Sequence, residues 1–146
     1  MRQDDRRVPA EAGIVTVRPV VDVMTRQRLP GFVGISRESA GARALSMYMV
    51  VIPPGASAEA HFHEGCETAI YMISGRVETR YGPGLRRSVV NEAGDFILIP
   101  PSVPHRPVNL SATEPAVAIV ARNDPDEQER VVLYDADVDA HTDLGG

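Results

Sequence analysis

At 146 residues the chain has the length of one domain, and a hydrophobic share of 43% suits a globular core rather than a disordered chain. A net charge of −5 without a basic stripe excludes a dedicated nucleic-acid binder, and no apolar run approaches the about 18 residues that a membrane span needs. All fifteen basic residues are arginine, so chemistry that anchors a carbonyl substrate on a lysine Schiff base is excluded, and the single cysteine, Cys66, excludes an intrachain disulfide. The charged opening Met1–Arg7 has no apolar stretch behind it and so does not read as a secretory signal; the cytoplasm is the expected compartment.

Residues 1–12 are charged and read as a flexible N-terminal arm. A single β-rich domain is expected over residues 13–134. Its predicted strands follow in order: Ile14–Val23, Phe32–Ile35, Leu45–Ile52, Thr68–Ile73, Val77–Tyr81, Arg87–Val90, Phe96–Ile99, His105–Leu110, Ala116–Ala121 and Val131–Tyr134. Turn signals separate them at Pro30-Gly31, Pro53-Pro54-Gly55, Gly82-Pro83-Gly84, Gly94-Asp95 and Pro100-Pro101. Arg37–Ala44 reads as a short helical turn or a loop. Many short, regularly punctuated strands indicate an all-β sandwich or barrel. Residues 135–146 form an acidic, polar C-terminal tail, where His141 reads as an idle surface residue.

The chemistry concentrates in His61-Phe62-His63-Glu64-Gly65-Cys66-Glu67 and in Pro104-His105. Residues two apart on a strand share a face, so His61 and His63 point the same way. Glu67 has the same parity, but at about 3.3 Å per residue an extended chain carries it some 20 Å from His61. It joins the two histidines only if the chain reverses, and Gly65 can supply the positive φ for that reversal. The strand after Glu67 then runs back beside His61–His63, with Glu67, Ala69, Tyr71 and Ile73 on the inward face. His105 arrives from a distant strand with Pro107 and Asn109 on its own face, which calls for a closed β-barrel. Three imidazoles and one carboxylate are a complete ligand set for a divalent transition metal: Fe, Mn, Ni, Co, Cu or Zn. Asn109 points the same way as His105 and is placed to orient a group that supports the ligands.

On these residues the chain resembles the cupins, small β-barrels of the jelly-roll type (the double-stranded β-helix). The family's first motif runs glycine, five residues, His-x-His, three or four residues, glutamate, six residues, glycine. Gly55, His61, His63, Glu67 and Gly75 follow it, except that seven residues separate Glu67 from Gly75. The second motif runs glycine, five residues, Pro-x-Gly, two residues, histidine, three residues, asparagine. Gly94, Pro100, His105 and Asn109 follow it, with Ser102 in place of the second glycine. The resemblance covers roughly residues 45–121. It implies a single-domain jelly-roll barrel, a metal held by His61, His63, Glu67 and His105, and a homodimer.

Around the metal, Tyr71 is either an aromatic core residue or a proton donor to the substrate. Cys66 reads as a small buried hydrophobe. On Arg76–Tyr81 the set Val77, Thr79 and Tyr81 is expected inward. Parity leaves the inward face of Leu45–Ile52 open between Leu45, Met47, Met49 and Val51 and the alternative Ser46, Tyr48, Val50 and Ile52. No arginine is forced into the pocket, although Arg122 can reach its rim. That weighs against a small dianion such as oxalate and for an aromatic or partly apolar substrate. The leading expectation is a dioxygenase-like oxidoreductase acting on a small molecule. The alternatives are a redox-neutral lyase or isomerase using the metal as a Lewis acid, and a non-catalytic metal-dependent binding protein.

Overall fold

In the computed structural model the described residues are 13–18, 23–24, 29–126 and 130–137. The expected N-terminal arm, the last nine residues of the tail and His141 lie outside them. The alternation read from the sequence resolves, among the described residues, into eleven strands: β1 Val23–Met24, β2 Pro30–Ile35, β3 Ser46–Ile52, β4 His61–His63, β5 Thr68–Ser74, β6 Arg76–Tyr81, β7 Arg87–Glu92, β8 Phe96–Ile99, β9 His105–Asn109, β10 Ala116–Arg122 and β11 Val131–Leu133. Of the expected first strand Ile14–Val23, Ile14–Arg18 is irregular, and among the described residues of this region Val23–Met24 pairs with β2. The segment after β2 becomes a single helical turn, α1, Arg37–Ala40. The Ser36 hydroxyl accepts from the Ser39 amide at its start, and Gly41 (φ 73°) ends it in the left-handed region.

The strands form two antiparallel sheets that face each other as a jelly-roll sandwich. One has the order β1-β2-β3-β10-β5-β8, the other β11-β4-β9-β6-β7. Among the described residues they do not join into one closed hydrogen-bonded barrel, as the sequence had suggested. Strands pair within each layer, and the space between layers is bridged by side chains and crossovers. The core lies on the inner face of the six-stranded sheet, where Tyr48, Val50 and Ile52 of β3, Met72 of β5, and Ala116, Ala118 and Val120 of β10 are buried; Val77 of β6 meets them from the other sheet. The period of two along β10 is complete, with Ala116, Ala118, Val120 and Arg122 buried and the residues between them less so. Gly75 carries the chain from β5 to β6 at φ 91°, and a Cβ there would lie 2.7 Å from the Ala116 Cα, so the crossing requires glycine on both counts.

The expected hairpin between β4 and the strand after Glu67 is not formed. Gly65 does adopt a positive φ (71°), but the chain it turns crosses to the opposite sheet. There β5 pairs with β10 and β8, whereas β4 pairs with β9 and β11. Parity counted along His61–His63 therefore does not carry over to β5. Its inward face is Thr68, Ile70 and Met72; its outward face is Ala69, Tyr71 and Ile73.

Candidate metal centre

Three of the four predicted ligands meet. His61 sits directly opposite His105 in the β4–β9 pair, and His63 lies one inward position further along β4. Their ring centroids are 5.0 Å (His61–His63), 4.3 Å (His61–His105) and 5.6 Å (His63–His105) apart. One ring nitrogen from each falls within 4.8 Å of the others, and all three residues are buried. Two short backbone contacts fix the ring orientations. His61 Nδ1 lies 2.7 Å from the Glu59 carbonyl, and His105 Nδ1 lies 2.9 Å from the Val103 carbonyl. A carbonyl only accepts, so each Nδ1 carries the hydrogen and each Nε2 presents a lone pair. Burial first, then the neighbouring His105, pushes His61 down to about 3; burial first, then Arg122, pushes His63 down to about 2; burial lowers His105 too. All three rings are therefore neutral at pH 7, the form that can ligate a metal.

Glu67 does not join them. Its side chain is exposed, and its backbone amide donates to the Asn123 side chain at 2.8 Å. The physical reason is the sheet crossing described above, which turns Thr68 inward instead. Four residues separate Thr68 from His63 and six separate it from Gly75, a spacing the cupin motif also admits, so it occupies the place of the motif's glutamate. The spacing to Gly75 was the signal available in the sequence. Beside Thr68 is a group the sequence had placed only at the rim. Arg122, at the end of β10, is 4% exposed and lines the cavity. Its Nε donates to Thr68 Oγ1 at 2.9 Å, and its Nη2 donates to Tyr48 Oη at 3.1 Å and to His63 Nε2 at 3.2 Å. The guanidinium carbon also lies 5.5 Å from the Tyr48 ring centre, within cation–π range.

Tyr71 lies on the outward face of β5, 39% exposed, with its ring 4.8 Å from that of Phe96, so it has no place in the cavity. Two other tyrosines line it: Tyr81, opposite His105 in the β6–β9 pair, and Tyr48, which meets the histidines through Arg122. Asn109 is buried, and its hydrogen-bond partners are backbone groups of neighbouring loops rather than a group that supports the ligands. Its Nδ2 donates to the carbonyls of Ile52, Pro53 and Glu114, and its Oδ1 accepts from the Ser111 amide, which ties β9 to the loops flanking β3 and β10. Cys66 is buried as expected, with Sγ against the Glu64 carbonyl at 3.3 Å. Ser102 takes the left-handed conformation of the glycine it replaces (φ 62°), and its amide donates to the His63 carbonyl at 2.9 Å.

The histidines and Arg122 close one end of a cavity of about 480 Å³ between the sheets. Val77, Thr79 and Tyr81 line it from β6 as the sequence predicts, and β3 contributes Tyr48, Val50 and Ile52. Away from the histidine end the wall is mainly apolar.

The family model of the cupin domain matches residues 48–122, which is just over half of the chain and includes the three histidines, Thr68 and Arg122. The chain belongs to the cupin family. No curated protein sequence matches this cupin. Solved structures share its fold. The oxalate decarboxylase of Lactobacillus farciminis, in complex with formate, superposes with a TM-score of 0.64 at 22% identity, over 80% of this chain and 33% of that one. An oxalate oxidase in complex with glycolate gives 0.61 at 22% identity, over 75% and 56%. An uncharacterized double-stranded β-helix protein of Klebsiella pneumoniae gives 0.55 at 17% identity, over 90% and 93%. This cupin therefore spans about a third of the Lactobacillus enzyme and little more than half of the oxalate oxidase.

Proposed function

We propose that this cupin is a metal-dependent enzyme acting on a small organic substrate, with dioxygenase-like oxidoreductase chemistry. The observation that carries the reading is the convergence of three buried, neutral imidazoles whose Nδ1 hydrogens, on His61 and His105, are already taken by backbone carbonyls. That donor set, nitrogen-rich and without thiolate, fits a divalent transition metal such as Fe, Mn, Ni, Co, Cu or Zn. His61, His63 and His105 would hold it. When bound, it would supply Lewis acidity and open coordination positions for substrate and O₂. The protein's own part is positional. Arg122 and Tyr48 offer hydrogen-bond donors to an anionic oxygen, and the apolar wall excludes water from the reacting end. The Arg122 cation also favours a redox-neutral second reading, a lyase or isomerase, because it stabilises negative charge that develops on a bound enolate. The oxalate decarboxylase and oxalate oxidase that share the fold represent a lyase and an oxidoreductase.

The metal content of protein purified without added metal, followed by turnover assays in air and under argon, tests this reading. Iron or manganese at one per chain with turnover only in air supports it. Turnover unchanged under argon leaves the redox-neutral reading and sinks the dioxygenase. We also propose that the molecule pairs with a second copy of itself across the outward face of the six-stranded sheet. There Met47, Tyr71, Phe96 and Leu98 are exposed around a shallow apolar depression next to the edge strand β8. Light scattering on a size-exclusion column checks it, and a monomer at all concentrations removes it.

A further inference from the structure

Arg122 is in a position that a metal centre alone does not explain. A guanidinium has only donors. Its contact with His63 Nε2 at 3.2 Å therefore occupies the lone pair that the ring needs for a metal. Metal binding at the three histidines requires the guanidinium to leave that lone pair, and it sets a second cation close to Arg122, an unfavourable placement in a buried setting. An anion resolves both problems. A carboxylate accepts a fork of hydrogen bonds from a guanidinium more strongly than a neutral imidazole does. The hydroxyl of Tyr48 already lies 3.1 Å from the same Nη2 and can donate to the same anion. Beyond this end the cavity is bounded by Val50, Ile52, Met72, Val77 and Ala118. Among the described lining residues only Arg122 carries a permanent charge. One fixed charge and walls that are mainly apolar, with Thr79, Tyr81 and Asn91 as the polar exceptions, suit a ligand with a single carboxylate and a largely apolar body.

We propose that the cavity takes an organic monocarboxylate through Arg122 and Tyr48, and that this contact releases His63 Nε2, so that the carboxylate and a divalent metal bind cooperatively. The proposal rests on the reading of His61, His63 and His105 as a metal centre. Linkage makes the coupling reciprocal: the factor by which the carboxylate tightens the metal is the factor by which the metal tightens the carboxylate.

The test is calorimetric titration of Co(II) into chelator-treated protein, alone and in the presence of acetate, hexanoate or phenylacetate, each paired with its neutral primary amide. With hexanoate or phenylacetate the Co(II) affinity is expected to rise by about tenfold or more over the matching amide, with acetate weaker than either. The Arg122→Met variant should bind Co(II) more tightly than the wild type when no carboxylate is present and should show no difference between acid and amide. Tyr48→Phe, the milder change, should keep the fold and reduce the coupling without abolishing it. Thermal melts report folding; if Arg122→Met does not fold, the wild-type acid–amide contrast and Tyr48→Phe decide the matter. Co(II) bound at one per chain with equal affinity beside acids and amides overturns the proposal and leaves the metal reading standing. Coupling that survives in Arg122→Met overturns it as well. No Co(II) binding with or without any of the acids removes the metal centre, and the proposal falls with it.

Discussion

The two sheets contribute to the cavity in different ways. The five-stranded sheet brings three histidines from two neighbouring strands, β4 and β9, with His61 and His105 directly opposed and their rings pinned by local carbonyls. The six-stranded sheet brings Tyr48, Thr68 and Arg122 from three strands, β3, β5 and β10, tied to one another by side-chain hydrogen bonds. The first arrangement offers lone pairs and the second offers hydrogens. Ligands for a metal thus come from one layer and the groups that meet a guest from the other, and the Arg122–His63 contact joins the two.

Removing the first layer should have the largest effect. His61→Ala or His105→Ala should lower metal affinity by about a hundredfold or more, read by elemental analysis after dialysis against a weak chelator. Metal retained at wild-type level in both variants would break the division between sheets. Next in size is the joint between the layers. Asn109→Ala removes the side chain that donates to the carbonyls of Ile52, Pro53 and Glu114 and accepts from the Ser111 amide, and should cost about 3 kcal/mol in urea unfolding. A third effect is graded with pH. The histidines titrate lower in the folded protein than in the unfolded chain, so below the unfolded value of 6.5 the unfolded state binds more protons. The metal-free protein should be fully stable above that pH and lose stability as the pH falls from 6.5 toward 3. Because Arg122 is the second cause of the His63 shift, Arg122→Met should soften the loss. Denaturant midpoints between pH 7 and 4 measure both. The smallest effects should come from Glu67→Gln and Tyr71→Phe, whose side chains face outward. Each should stay within about 0.5 kcal/mol of wild type and leave bound metal unchanged. Loss of metal in Glu67→Gln would return the carboxylate to the site.

The contrast between layers is also a contrast in what the sequence makes legible. His61, His63 and His105 lie in motifs whose spacing is local, and period-two parity within β4, β6 and β9 places His105, Val77, Thr79 and Tyr81 correctly. The strand pattern itself is local too, and β8 matches the sequence expectation residue for residue. Parity fails where the chain changes sheet. Between His63 and Thr68 it leaves one layer and enters the other, and a one-residue slip there turns Glu67 and Tyr71 outward together. Arg122 and Tyr48 are 74 residues apart and meet through the β3–β10 pairing, a long-range register that no local pattern reveals. An arginine at a strand end reads as a surface residue until its neighbours are known.

The inward face of β10 carries Ala116 and Ala118 where larger aliphatic side chains would fit the pattern of the strand equally well. These two positions act as a volume dial for the chamber. They sit on the strand that carries Arg122, yet on neither of the strands that carry the histidines. Enlarging Ala118 to valine or leucine would shorten the body a guest can have while its anchoring end stays unchanged. The same scaffold could in this way be graded, one methyl group at a time, into a series of chambers for guests of different length.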